Sequence, residues 1–108
     1  MIDPEQVHRL TGRRFSSEPA VLHGYERVLP AEGYPYVRNC RAGRVDGLLL
    51  RDLDPAALRL LDLYEGEGDL YLRRTVAVRV CETDEFCAVY VANPDRLDDR
   101  GAWKPGAL

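Results

Sequence analysis

A short helix with clear start and stop signals separates two groups of strand-like segments in this sequence. Asp54 is a favourable N-cap, Pro55 suits the first helical position, and Gly66 suits the left-handed residue just beyond the end. These signals predict a helix from Pro55 to about Glu65. The apolar positions that should face the core are Ala57, Leu58, Leu61 and Tyr64.

Glu65 departs from the pattern of its neighbours on this helix. At about 3.6 residues per turn, its side chain projects between the directions of Leu58 and Leu61, near one edge of the apolar face. It also lies in the last turn, where the helix dipole disfavours negative charge. Burial and the dipole would both raise its pKa toward that of a general acid or base. The alternative is a glutamate that bends into water, and the helix alone does not decide between the two.

Strand-like segments flank the helix on both sides. They cover residues 20–29, interrupted by Gly24, then 36–39, 45–53, 70–80 and 85–92, with a turn at 41–44. Segment 70–80 alternates most clearly, with apolar side chains on one face and Tyr71 and Arg73 on the other. A two-residue turn near Thr83-Asp84 would place Tyr90 opposite Ala77, on the face of Tyr71 and Arg73.

The remaining segments complete a single small domain. Asp3 as N-cap and Gly12 as stop predict a helix through about Leu10, and Trp103 should hold the irregular tail of residues 93–108 against the body. A chain of 108 residues forms one domain, 1–108. Strands at hairpin spacing with two short helices predict an α+β fold with a mostly antiparallel, strongly curved sheet.

Charge and composition narrow the classes of partner. A net charge of −3 gives no general attraction to nucleic acid or to an anionic membrane. The sequence has no apolar run long enough to span a membrane, and its first residues lack the features of a signal peptide. Three cysteines without a secretion signal indicate reduced thiols. We therefore expect a cytoplasmic protein that binds neither nucleic acid nor membrane.

Several familiar kinds of reactive site lack support in the sequence. His8 and His23 have no cysteine or carboxylate partners at metal-ligand spacing, so no metal is predicted. Ser16 and Ser17 lie outside any nucleophile-elbow pattern. The segment 65–69 puts carboxylates where a phosphate would have to bind, so no nucleotide cofactor is predicted. A lone carboxylate and several tyrosines remain.

The segments around Glu65 resemble a known family. Leu-Asp-Leu-Tyr-Glu-Gly at 61–66 and Leu-Tyr-Leu-Arg-Arg-Thr-Val-Ala-Val at 70–78 resemble the signature of the gamma-glutamylcyclotransferase-like (AIG2-like) family. Further matches, in the family's order and spacing, lie at 19–27, 34–35 and 43–47. The resemblance implies a small mixed, mostly antiparallel β-barrel with short flanking helices. It also implies a small-molecule γ-glutamyl amide or amine substrate, whose own α-amino group attacks the γ-carbonyl and closes the ring of 5-oxoproline.

The resemblance also implies roles for individual residues. Glu65 matches the general acid/base of the family, and Tyr71 and Tyr90 match hydroxyl groups that line its substrate cavity. Arg73 matches the arginine that recurs after the first tyrosine and is assigned to substrate binding. For each tyrosine the alternative is plain packing, because an aromatic side chain on a strand commonly serves as core or surface cover.

The beginning of the sequence departs from the family pattern. Family members start with an apolar strand and a Tyr-Gly-Thr-Leu-like loop whose N–H groups bind the substrate α-carboxylate, whereas Met-Ile-Asp-Pro-Glu resembles the stretch after that loop. We expect a chain truncated at its N-terminus relative to the family. Its start codon was assigned too late, which we favour, or it is naturally short, or another chain supplies the strand.

Loss of that strand has two functional consequences. It would leave a sheet edge unpaired, which predicts a homodimer formed through that edge. A chain without the loop also admits a second function, that of a non-catalytic module which keeps the cavity and binds a small anion or a partner protein.

Overall fold

The computed structural model describes residues 4–105, which form two helices and one four-stranded sheet. The elements are α1 (Pro4–Thr11), β1 (Ser17–Val28), β2 (Tyr36–Leu50), α2 (Pro55–Glu65), β3 (Tyr71–Val80) and β4 (Thr83–Ala92), followed by a 3-10 turn at Pro94–Arg96. The strand order is β2-β1-β3-β4, and every neighbouring pair is antiparallel. The predicted α+β class with an antiparallel sheet is confirmed. The predicted N-cap at Asp3 lies outside the described residues.

The sheet is open, whereas the family resemblance implied a closed barrel. Within residues 4–105, β2 and β4 are the two edges, and no ladder of hydrogen bonds joins them. An apolar cavity of about 240 Å³ is lined by residues of both edge strands and of the core, among them Leu22, Val45, Leu49, Val78 and Val89. Edge strands present unpaired N–H and C=O groups. The sheet therefore curves around a hollow without closing over it.

β2 is longer than the sequence indicated. The segments expected at 36–39 and 45–53 belong to one strand of 15 residues, so the turn predicted at 41–44 is wrong. The irregularity there is a bulge, because the pairing shifts between His23 and Tyr25 of β1, around Gly24 as predicted. Gly43 lies in this bulge, and a Cβ atom at that position would come within 2.3 Å of the carbonyl oxygen of Tyr25.

The hairpin of β3 and β4 turns two residues earlier than predicted. Its loop is Cys81-Glu82 rather than Thr83-Asp84, so Tyr90 lies opposite Arg73 instead of Ala77. The shift of the partner is four residues, an even number, and side chains alternate with a period of two. Tyr90 therefore keeps the face that the sequence predicted for it.

α2 begins and ends where its capping signals predicted. The Asp54 side chain accepts a hydrogen bond of 2.8 Å from the N–H of Ala57. Gly66 closes the helix in the left-handed conformation, with φ 64° and ψ 46°. Within residues 4–105, no helix is long and apolar enough to cross a membrane.

Trp103 fixes the irregular tail to the sheet, as predicted. It is 8% exposed, and its ring lies edge-on to Tyr36 and Tyr71 with centroids 5.6 Å away from each. Its indole N–H donates a 2.9 Å hydrogen bond to the carbonyl oxygen of Tyr34. A second core forms here, separate from the aliphatic core of Leu22, Val37, Val45, Val78 and Val80. The tail thereby supports Tyr71 and the loop that precedes β2.

Truncation of Trp103 should show how much this second core contributes. We expect Trp103→Ala to lower the free energy of unfolding by about 3–5 kcal/mol, because it removes a buried aromatic ring and leaves a cavity. Phe86→Ala is the matched control, since Phe86 is 82% exposed and its loss should change stability by no more than about 0.5 kcal/mol. Urea unfolding of both variants measures this. Equal losses in the two would show that the tail does not hold the fold.

Candidate active site

Glu65 is the last residue of α2 and lies on the buried side of that helix. The buried residues of α2 are Ala57, Leu61 and Glu65, which are spaced four apart and so share one side. Glu65 is 5% exposed, and its Oε1 atom has no hydrogen-bond partner within residues 4–105. Burial raises the pKa of its carboxyl group above the usual 4.5. Of the two alternatives that the sequence left open for Glu65, the structure has the buried one, whereas Tyr64, predicted for the core face, is 50% exposed.

A cavity of about 270 Å³ lies against Glu65. It is formed by the end of β1, the loop before β2, the end of α2 and the beginning of β3, and its other lining residues are Arg27, Tyr34, Pro35, Tyr64, Leu70 and Tyr71. Its volume is just below the range of about 300–1,000 Å³ that is usual for small-molecule sites. The structure therefore brings a sheltered carboxyl group and three tyrosines to one hollow.

Tyr71 connects this cavity to the loop before β2. Its hydroxyl donates a 2.7 Å hydrogen bond to the carbonyl oxygen of Pro35. Burial, followed by the neighbouring Glu65 charge, raises the pKa of Tyr71, so its hydroxyl stays neutral. Because the Tyr71 hydroxyl already donates its one hydrogen bond to Pro35, its oxygen can only accept a hydrogen bond from a ligand, for example from an N–H group.

Tyr90 and Arg73 reach a different carboxylate. The Tyr90 hydroxyl donates to Oδ1 of Asp62 at 2.6 Å, and the Arg73 guanidinium donates to Oδ2 of the same residue at 2.8 Å. Burial and the bond to Asp62 raise the pKa of Tyr90, which keeps its proton for that bond. Neither Tyr90 nor Arg73 lines the Glu65 cavity, and Tyr90 lines the apolar cavity instead.

Two residues that the sequence analysis did not assign to the site are Asp62 and Arg27. Asp62 precedes Glu65 by three residues, so the helical period places both near one side of α2. Through Tyr90 and Arg73 it ties this side of the helix to β3 and β4. The spacing was a usable signal for Asp62. Arg27 lines the cavity from β1, and strand alternation alone gives no reason to select it.

The bond between Tyr90 and Asp62 predicts a measurable coupling. Tyr90→Phe should lower the free energy of unfolding by about 1–3 kcal/mol, because it removes one donor from the Asp62 carboxylate. Tyr25→Phe is the control, with an expected change within about 0.5 kcal/mol, since the Tyr25 hydroxyl makes no hydrogen bond within residues 4–105. In a double-mutant cycle of urea unfolding with Asp62→Asn, the coupling should be about 0.5–3 kcal/mol. Strictly additive losses would contradict a direct bond.

Comparison with known proteins places the chain beside AIG2-like proteins of a plant. The profile of the family described as gamma-glutamyl cyclotransferase, AIG2-like, matches residues 1–105. "AIG2-like protein C" of Arabidopsis thaliana is 34% identical over 105 residues, covering 94% of this chain and 60% of that protein. "Protein AIG2 C" of the same organism is 32% identical over 107 residues, covering 95% and 64%.

A solved structure shows the same fold. The solution structure of an Arabidopsis thaliana protein superposes with a TM-score of 0.72 at 30% identity, covering 96% of this chain and 64% of that one. The chain spans 60% of the length of "AIG2-like protein C" and 64% of that of "Protein AIG2 C". Since the family profile extends over residues 1–105, the chain belongs to the gamma-glutamyl cyclotransferase, AIG2-like family.

Proposed function

We propose that this chain is a γ-glutamyl cyclotransferase that releases 5-oxoproline from a γ-glutamyl amide or amine, with Glu65 as general acid/base. One observation carries the proposal most directly: the Glu65 carboxyl is buried, has an Oε1 atom without a hydrogen-bond partner within residues 4–105, and faces a cavity of about 270 Å³. A buried carboxyl with a raised pKa is a typical feature of acid/base sites. Family membership supports the choice of reaction.

The reaction needs little more than one acid/base group. The α-amino group of the substrate attacks its own γ-carbonyl carbon, so both reacting atoms belong to one molecule. A cavity that holds the γ-glutamyl chain in a folded conformation removes much of the entropic barrier to ring closure. The aromatic walls supplied by Tyr34, Tyr64 and Tyr71 suit this shaping role.

Glu65 would carry the protons between the two nitrogen atoms. Its carboxylate takes a proton from the substrate ammonium, and the freed amine forms the new C–N bond of the ring. The bond between the γ-carbon and the departing nitrogen then breaks, and that nitrogen receives its protons through Glu65. Overall the attacking nitrogen loses two protons and the leaving nitrogen gains two, so none is consumed. A carboxyl whose pKa is raised by burial is a stronger base than an exposed one and can perform both transfers.

The groups around Glu65 have supporting roles in this proposal. The Tyr71 hydroxyl donates its hydrogen bond to the carbonyl oxygen of Pro35, and its oxygen accepts a hydrogen bond from an N–H group of the substrate. Asp62, held by Tyr90 and Arg73, fixes α2 and therefore the direction of the Glu65 side chain. Tyr90 and Arg73 were expected to contact the substrate itself, and through Asp62 they would instead act as positioning residues.

Other expectations from the sequence stay predictions. They are a small-molecule γ-glutamyl substrate, a cytoplasmic location, no binding to nucleic acid and a homodimer formed through an unpaired edge. β2 and β4 are the edges available for such a dimer within residues 4–105. Because the relatives are longer than this chain, their activity is carried over here only as a proposal.

Replacement of Glu65 tests the proposed chemistry. Glu65→Gln should reduce the rate of 5-oxoproline release from γ-glutamyl substrates by about 10²–10⁴-fold, because the amide neither takes nor gives the proton. The assay separates 5-oxoproline by chromatography after incubation with a panel that includes γ-glutamyl amino acids, glutathione and γ-glutamyl-lysine.

Glu67→Gln is the matched control, since Glu67 is exposed two residues away and outside the cavity. It should retain the wild-type rate. Equal release by wild type and Glu65→Gln would refute the proposal. Ligand binding with no turnover by the wild-type chain would favour the non-catalytic anion-binding module.

A further inference from the structure

Arg51 joins the two edges of the sheet through its side chain. It is the first residue after β2, and its backbone N–H donates a 2.9 Å hydrogen bond to the carbonyl oxygen of Ser16, just before β1. Its guanidinium donates to both oxygens of Glu18 on β1, at 3.1 and 3.2 Å, and to both oxygens of Glu85 on β4, at 3.0 and 2.6 Å. Since the strand order is β2-β1-β3-β4, the contact with Glu85 connects one edge of the sheet to the other.

Both carboxylates lie on the face of the sheet that carries the aliphatic core. Glu18 lies two residues before Ala20 in β1. Glu85 lies two residues before Cys87 in β4, and residues two apart in a strand share a face. Ala20 and Cys87 pack against the aliphatic core and line the apolar cavity of about 240 Å³. Because unpaired carboxylates are costly on such a face, the pairing with Arg51 lets two acidic residues occupy its end.

The contact between Arg51 and Glu85 lies at the rim of the apolar cavity. Leu50 and Leu53, which come before and after Arg51 in the sequence, both line that cavity. The side chains of Arg51 and Glu85 are 31% and 33% exposed, so water reaches the outer side of the pair. Within residues 4–105, no ladder of backbone hydrogen bonds joins β2 to β4. The side-chain pair therefore crosses a gap that the backbone leaves open.

We propose that Arg51 and Glu85 form a strap across the open side of the sheet, and that this strap controls the access of small molecules to the apolar cavity. While the pair is formed, it holds the ends of β2 and β4 together at the rim. When the pair separates, the two ends can move apart, because no backbone ladder joins them. The strap concerns the apolar cavity and not the Glu65 cavity, so it does not depend on the proposed reaction.

Glu18 has a different part in this arrangement. It lies on β1, and β1 is already paired with β2 by a backbone ladder that runs from Ser17 opposite Leu50 onward. The contact between Glu18 and Arg51 therefore adds a side-chain bond between strands that the backbone holds together anyway. Only the contact with Glu85 resists the separation of the two edges. The two glutamates thus provide a matched pair of test positions on one arginine.

Cys87 reports on access to the apolar cavity. It lines that cavity and is half-buried, and burial raises the pKa of its thiol, so it should react slowly with N-ethylmaleimide. Cys81 is exposed in the turn between β3 and β4 and should react fast in every variant. Cys40, half-buried in the first half of β2, reports on unfolding of the whole chain. Tandem mass spectrometry after timed labelling gives the rate at each thiol.

Removal of the Glu85 carboxylate should open the cavity, whereas removal of the Glu18 carboxylate should not. Glu85→Gln should raise the labelling rate of Cys87 by about five- to tenfold, because it breaks a charge-assisted pair that is partly exposed. Glu18→Gln is the matched control, since it makes the same change of charge beside Arg51 but leaves the contact between the edges. A second control, Arg79→Gln, removes an exposed ion pair within the β3–β4 hairpin. Both controls should change the rate by less than about twofold.

The expected result is a faster reaction at Cys87 in Glu85→Gln, with the rates at Cys81 and Cys40 unchanged. A Cys87 rate that stays at the wild-type value in Glu85→Gln, or that rises equally in Glu18→Gln, would overturn the strap. A parallel rise at Cys40 would overturn it as well, because it would show that the variant unfolds as a whole instead of opening between its edges.

Discussion

A carboxyl group buried without full hydrogen bonding is the feature on which the rest of the site depends. Leaving a buried polar group unsatisfied costs about 1–3 kcal/mol, so other contacts must hold α2 in its position. Asp54 caps the start of the helix, Gly66 ends it, and Asp62 binds both Tyr90 and Arg73 of the sheet. The fold thus holds an acidic group in an environment that raises its pKa, which is the property a shared acid and base requires.

The cavity and the second core depend on the same few contacts. Trp103 packs on Tyr71 and bonds the carbonyl oxygen of Tyr34, while Tyr71 bonds that of Pro35. The tail, the loop before β2 and the start of β3 are therefore connected around one hollow. The aliphatic core of Leu22, Val37, Val45, Val78 and Val80 is separate from these contacts. The edge strands β2 and β4 of the sheet are not paired with each other.

Features set by local interactions were predictable from the sequence. The bounds of α2 follow from Asp54 and Gly66, and helical spacing placed Glu65 at the edge of the apolar face without deciding whether its carboxyl is buried. Features that depend on pairing with another strand were not predictable in this way. The bulge of β2 at Gly43 looked like a turn, and the hairpin register moved by four residues, because both depend on which segments pair across the sheet. The closed barrel was an expectation from the family, and the described residues leave it open.

The site shows the same division. Strand alternation correctly put Tyr71 and Tyr90 on one face, but their hydroxyl groups go to different partners, Pro35 and Asp62. A pattern of alternation gives the face of a side chain and does not reveal which acceptor it will meet. Arg27 reaches the cavity only because β1 passes beside the loop before β2, which is a tertiary relation.

Titration of the glutamate side-chain carboxyl carbons by ¹³C NMR measures most directly whether the fold shelters Glu65. The pKa of Glu65 should lie above 4.5, because burial disfavours the charged carboxylate. Glu85 serves as an internal reference with the opposite shift, since hydrogen bonds from Arg51 hold its pKa below 4.5. A pKa of Glu65 at or below 4.5 would show a hydrated or ion-paired carboxylate and would contradict the acid/base role.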